Sequence, residues 1–161
     1  MKGDKKNPII RQLREIKNML ERANACKEQV EWMQKVIKAA RPVKCVPAAS
    51  VLDETQIEYI KRVLKPEPKH CYLNSHMLCE AFPDEIKYCE GKTAIPFEID
   101  HAFNKVGDKY IDITFEFALG EDPRKYPYVV LGEYDADEID RVLEATKTFG
   151  GYFAYLNQPE E

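Results

Sequence analysis

The sequence predicts an α+β fold. Helical apolar stripes come first, strand-like segments separated by Gly-containing turns follow, and no internal repeat or low-complexity tract interrupts them. Helices first and an antiparallel sheet after is the order that defines the class.

Residues 8–40 read as one long helix. Pro8 suits the first helical position and Asn7 the cap. Ile9, Leu13, Ile16, Leu20, Ala23, Val30, Met33 and Ile37 recur at steps of three and four, with a miss at Lys27. The stripe either docks on the domain that follows or pairs with a copy of itself as the seam of a homodimer. Arg41-Pro42 ends it, and residues 42–50 form a connector. A second helix, about 53–64, takes Asp53 as its cap and buries Ile57, Ile60, Val63 and Leu64. Lys65-Pro66-Glu67-Pro68 stops it and hands an extended chain to a third helix, about Cys71 to Ala81, with Leu73, Met77, Leu78 and Ala81 on its apolar side.

The strands follow. Ile86 to Glu90 is short and ended by Gly91; a longer one runs from about Phe97 to Val106; Gly107-Asp108 turns the chain, with Gly first as a type II′ turn prefers; and Lys109 to Phe115 returns. After a looser segment, Tyr126 to Tyr134 is another strand. Asp135 and Glu138 have the spacing of a capping box for a last helix, which turns Ile139, Val142, Leu143 and Thr146 inward and ends at Gly150-Gly151. Tyr152 to Leu156 reads as a final short strand or an aromatic plug. The expected division is an N-terminal helical arm, 1–48, and an α+β core, 49–161, within one compact domain.

Composition narrows the function. The chain has 161 residues, 44% hydrophobic and 32% charged, with a net charge of −4, which gives nucleic acid no reason to bind. No apolar run approaches the roughly 20 residues of a membrane span, and the charged start, Met1 to Pro8, is not a secretory leader. Five cysteines (Cys26, Cys45, Cys71, Cys79 and Cys89) are an odd, irregular set without a CxxC pair, so reduced thiols in a cytoplasm are expected, with no cofactor and no metal. Cys71, His76, Cys79 and His101 can be imagined around zinc, but their spacing is not that of a zinc site. His70 and His76 read as ordinary surface or helix residues, and the cysteines other than Cys71 as small core residues.

Cys71, His101 and Asp112 carry the chemistry. The thiol opens a helix, where free amides and the positive dipole end favour a thiolate and can hold an oxyanion. His101 lies on a hairpin strand opposite about residue 114, so Asp112, two positions along the same face, is within reach of its ring, whereas Asp100 points the other way. The roles that follow are nucleophile, base and orienter. Asn74 and Gln56 are the candidate oxyanion side chains. Tyr72, Phe97, Phe103, Tyr126 and Tyr128 read first as core and second as pocket lining.

At these residues the chain resembles the transglutaminase-like branch of the papain-like cysteine enzymes. Cys71 at a helix start, Lys87-Tyr88-Cys89-Glu90-Gly91, His101-Ala102-Phe103, Gly107-Asp108-Lys109-Tyr110 and Ile111-Asp112-Ile113-Thr114 follow that family's order and intervals. They also look like segments of small phage or bacterial proteins, whose later Tyr-x-x-x-x-Gly strand is similar to Tyr128 through Gly132. The resemblance covers about residues 69–134. Ile113 stands where the family usually has Pro, and Phe103 where Trp is common. It implies a sheet packed on the Cys-bearing helix and thiol-based acyl transfer on a protein or peptide: hydrolysis first, with deamidation and cross-linking as variants. The competing expectation is a non-catalytic binding or host-interaction protein on the same scaffold, self-associating through its N-terminal helix.

Overall fold

The computed structural model describes residues 7–159, so the charged segment Met1–Lys6 lies outside the described residues. The chain is α+β, with a five-stranded antiparallel sheet.

The first helical stretch is two helices rather than one: α1 (Pro8–Arg22) and α2 (Lys27–Ala39). Asn7 caps α1 as expected, its Oδ1 accepting from the amides of Ile9 and Ile10 at 2.9 and 3.3 Å. The break falls just before Lys27, where the stripe misses a step. Ala23 ends α1, and Asn24 adopts a left-handed conformation with φ of 53°, which Asn tolerates better than most residues. Folding back buries Ile9, Ile10 and Leu13 of α1 and Val36 of α2 together with Val129 and Phe153. The N-terminal half of the stripe is therefore spent within the chain.

The expected connector contains an edge strand, β1 (Arg41–Val43), which pairs with β5 (Tyr128–Tyr134). Pro42 fits there because an edge strand has a side that needs no donor. α3 (Glu54–Tyr59) starts in a reciprocal capping box between Asp53 and Gln56, then widens into a π-type turn over Ile60–Leu64. The wider turn rotates the stripe: Ile60 is buried, but Val63 is 65% exposed rather than inward. α4 (Cys71–Ala81) has the expected bounds but another buried face. Asn74, Ser75, His76, Leu78 and Cys79 turn inward, while Leu73 and Met77 are exposed. Hydrogen-bonded polar side chains hold the positions that a purely apolar stripe would claim.

β2 (Ile86–Ala94), β3 (Glu98–Val106) and β4 (Lys109–Ile111) complete the sheet, in the order β1-β5-β2-β3-β4. Gly91 does not end β2; the strand runs through it, with a register shift against β5 between Glu90 and Gly91. Val106 pairs with Lys109 across the Gly107-Asp108 turn, and of the two only Gly107 has positive φ, 61°. The sheet curls until its edges meet. Cys45, just past β1, bridges to Tyr110 of β4; the Val46 amide donates to the Tyr110 carbonyl at 2.8 Å, and the Arg41 guanidinium to the Tyr110 hydroxyl at 3.0 Å. Cys45, Cys89, Phe103 and Tyr128 fill the curl, and Ile60, Leu78, Ile86 and Ile111 seal α3 and α4 against it.

α5 (Ala136–Thr146) opens in the expected capping box: the Glu138 amide donates to Asp135 Oδ1 at 2.9 Å, and the Asp135 amide to Glu138 Oε1 at 3.2 Å. It stops at Lys147, left-handed at φ 58°, before the glycine pair is reached. Replacing Asp135 with Ala is expected to cost about 1 kcal/mol, read as a lower denaturant midpoint at unchanged slope. α6 (Tyr152–Leu156) is a short helix, not a strand, although Tyr152 and Phe153 do plug the core. Its first amides are taken by a buried carboxylate of β2: Tyr152 N–H donates to Glu90 Oε2 at 3.1 Å and Phe153 N–H to Oε1 at 3.0 Å. Among the described residues, no helix is long and apolar enough to cross a membrane.

Candidate functional site

Cys71 is the first residue of α4, half-buried at the end where first-turn amides have no acceptor within the helix. Two asparagines fix this helix on the sheet. Asn104 of β3 donates to the carbonyls of Ser75 in α4 and Lys87 in β2, at 2.9 and 3.1 Å. Asn74 donates to the Glu67 carbonyl at 2.9 Å and to Thr114 Oγ1 at 3.0 Å, and accepts from the Glu67 amide. The loop before Cys71, the helix it opens and the segment after Asp112 are thus tied to one side chain.

His101 stands on β3, 4% exposed, and its Nε2 lies 2.7 Å from Asp112 Oδ2. Asp112 is fully buried and accepts two further hydrogen bonds: the Tyr128 hydroxyl at 2.7 Å on Oδ2 and the Phe115 amide at 3.1 Å on Oδ1. The last bond explains why the returning strand stops at Ile111 instead of reaching Phe115. Asp112 caps the turn that follows it, as Asp does when its side chain competes for a nearby amide. A buried carboxylate held by three donors is fully provided for. With Nε2 committed to Asp112, Nδ1 is the ring nitrogen left for Cys71.

Burial works against a charged His101, but the Asp112 carboxylate overrides it, and hydrogen bonding and charge from Cys71 add to the effect; the ring's pKa is raised to about 10. The Asp112 carboxylate thus favours the protonated ring. A raised histidine pKa stabilises the fold fully below its unfolded value of about 6.5. That contribution fades as pH climbs through the folded value. Unfolding free energy is expected to fall between about pH 6.5 and 10, and the Asp112→Asn variant to show a flatter profile over that range in denaturant titrations at successive pH values.

The other thiols differ. Burial pushes Cys45 and Cys89 up and Cys79 up to about 12, while Cys26 is exposed at the start of α2. Beside His101 a cavity of about 200 Å³ is lined by Trp32, Tyr72, Glu90, Gly91, His101 and Phe153, among others. Tyr72, the residue after Cys71 in α4, brings the start of that helix to the cavity wall. Gly91 pairs directly with His101, and a Cβ there would sit 1.9 Å from the Val129 carbonyl oxygen, so this strand crossing admits only glycine.

The structure pairs His101 directly with Asp112 and sets Cys71 close enough to the ring to help raise its pKa. It does not bring the two oxyanion candidates to them. Both amide hydrogens of Asn74 are already donated, and Gln56 lies in α3, where its Oε1 closes the capping box and its Nε2 donates to Glu85 at 2.8 Å. The backbone amides of the first turn of α4, at the helix end that Cys71 opens, are the donors left for an oxyanion. Of the named aromatics, Tyr72 lines the cavity, Phe103 and Tyr128 are core, and Phe97 is 76% exposed. The sequence did not reveal that the Tyr128 hydroxyl holds Asp112, because β5 lies two strands from β3. Comparison with protein families, with curated proteins and with solved structures gave no match.

Proposed function

We propose that this protein is a cysteine-dependent acyl-transfer enzyme, most simply an amide or peptide hydrolase, built on a core of the papain-like, transglutaminase-like kind. What supports the reading is the pair Asp112–His101, a buried carboxylate 2.7 Å from one ring nitrogen, with Cys71 nearby at a helix start. Cys71 as thiolate attacks an acyl carbon, the first-turn amides receive the oxyanion, and His101 delivers its proton to the leaving amine. Water then attacks the thioester, His101 takes a proton from it, and Cys71 leaves as thiolate. The cavity beside the ring is smaller than the roughly 300–1,000 Å³ of typical small-molecule sites. Its size suits one side chain of a protein or peptide.

A generic acyl donor tests this without knowledge of the substrate. Wild-type protein mixed with p-nitrophenyl acetate is expected to release a burst of about one nitrophenolate per chain, to carry the acetyl group on Cys71 by peptide mass mapping, and to shed it with time. Cys71→Ala removes the burst. Acetylation spread over lysines and Cys26, with no preference for Cys71, contradicts the proposal.

A further inference from the structure

A second cluster lies on the opposite side of α4 from any role in acyl transfer. His76 and Glu80, one turn apart on α4, meet Asp140 of α5, and one ligand atom from each lies within 4.8 Å of the others. The sequence predicts an ordinary helix histidine at position 76, but His76 is 2% exposed. Its Nδ1 is 2.9 Å from the Tyr152 hydroxyl, which holds the ring from behind. Its Nε2 has no hydrogen bond among the described residues and is turned toward Glu80 Oε1 at 3.3 Å and Asp140 Oδ1 at 3.7 Å. Glu80 Oε1 is itself buried without a hydrogen-bond partner. The buried His76 ring thus turns a nitrogen without a hydrogen bond toward a buried carboxylate oxygen that also lacks one, an arrangement a cation would satisfy.

We infer that His76, Glu80 and Asp140 form a binding site for a divalent first-row transition ion, with zinc the best fit. Ligands at about 2.0–2.2 Å around a tetrahedral ion lie about 3.3–3.6 Å from one another. The two separations from Nε2, 3.3 and 3.7 Å, lie at and just beyond that range, and all three ligand atoms lie within 4.8 Å of one another. One imidazole and two carboxylates are a ligand set that zinc accepts, and the Tyr152 hydroxyl behind Nδ1 is the outer partner that orients a ligating histidine. Phe149 stands edge-on to the His76 ring at 5.0 Å and restricts its tilt. Asp140 is 53% exposed, so the fourth position opens to water. A bound ion would tie α4, the helix that presents Cys71, to α5. The inference uses none of the acyl-transfer residues and stands or falls apart from that proposal.

Zinc alone is the probe. Equilibrium dialysis of the reduced full-length chain is expected to give one zinc per chain, unchanged in Cys71→Ser. Glu80→Gln and Asp140→Asn, near-isosteric and at partly exposed positions, are expected to keep their circular dichroism and bind about tenfold or more weakly. Cobalt substitution is expected to give visible bands of tetrahedral intensity without thiolate charge transfer. Absence of stoichiometric zinc, equal binding by both carboxylate variants, loss of binding in Cys71→Ser, or a thiolate band in the cobalt spectrum would each overturn the site.

Discussion

Replacing His101 is expected to slow alkylation of Cys71 by iodoacetamide about a hundredfold or more near pH 7, while Cys26 reacts at its wild-type rate. The two thiols form an internal comparison: both are free, Cys26 is the more exposed, and the imidazole serves Cys71 alone. If access governed reactivity, Cys26 would react faster. If a neighbouring imidazole governs it, Cys71 does, because the ring can take the thiol proton as the carbon–sulfur bond forms. Removing the ring outright leaves Asp112 as an unpaired buried carboxylate, a loss of about 3–5 kcal/mol that can unfold a marginal domain. His101→Gln meets that objection, since its amide can still donate to Asp112 while supplying no base. Equal rates for Cys71 in wild type and in folded His101→Gln would remove the imidazole from the chemistry.

Gly91→Ala is expected to be the most damaging single-methyl change in the chain. The added carbon would stand 1.9 Å from the Val129 carbonyl oxygen and 2.9 Å from its carbon. Overpacking against side chains that can rotate costs about 1–3 kcal/mol. Here the obstacle is backbone at the centre of the sheet, so about 3 kcal/mol or more is expected, a large part of the roughly 5–15 kcal/mol that holds a domain together. Because Gly91 pairs with His101, relief of the clash by parting β2 from β5 also disturbs the strand that carries the ring. Chemical denaturation should therefore report a much lower midpoint, and the folded fraction that remains should have lost the reactivity of Cys71. A midpoint within experimental error of wild type would show that the strands are not so tightly apposed.

What the sequence made legible was local chemistry. Asn7 before Pro8, Asp53 before Gln56 and Asp135 before Glu138 are caps written in the order of residues, and the structure has all three. The Gly107-Asp108 turn sets the hairpin register, which is why the sequence alone puts Asp112 near His101. What it hid depended on distant partners. Asn24 breaks the first helix because two short helices cover the sheet where one long rod would overshoot it. β1 looks like connector because three residues with a proline carry no periodicity, and only pairing with β5 makes them a strand. Asp112 ends its strand early because its own side chain captures Phe115. Asn74 and Gln56 looked available for an oxyanion because each is a polar side chain near a helix start; their bonds to Glu67, Thr114 and Glu85 come from segments 7 to 40 residues away. His76 and Glu80 are visibly one turn apart, but nothing in the order of residues says that α5 delivers Asp140 to them.

The charge on the His101 ring is open to direct observation by nitrogen NMR of ring-labelled protein at pH 7. Both ring nitrogens are expected to be protonated, with the Nε2 proton shifted far downfield by its bond to Asp112 and a single titration near pH 10 that is lost in Asp112→Asn. A neutral ring at pH 7, titrating like a free histidine and indifferent to Asp112, would contradict the charge relay on which Cys71 is argued to depend.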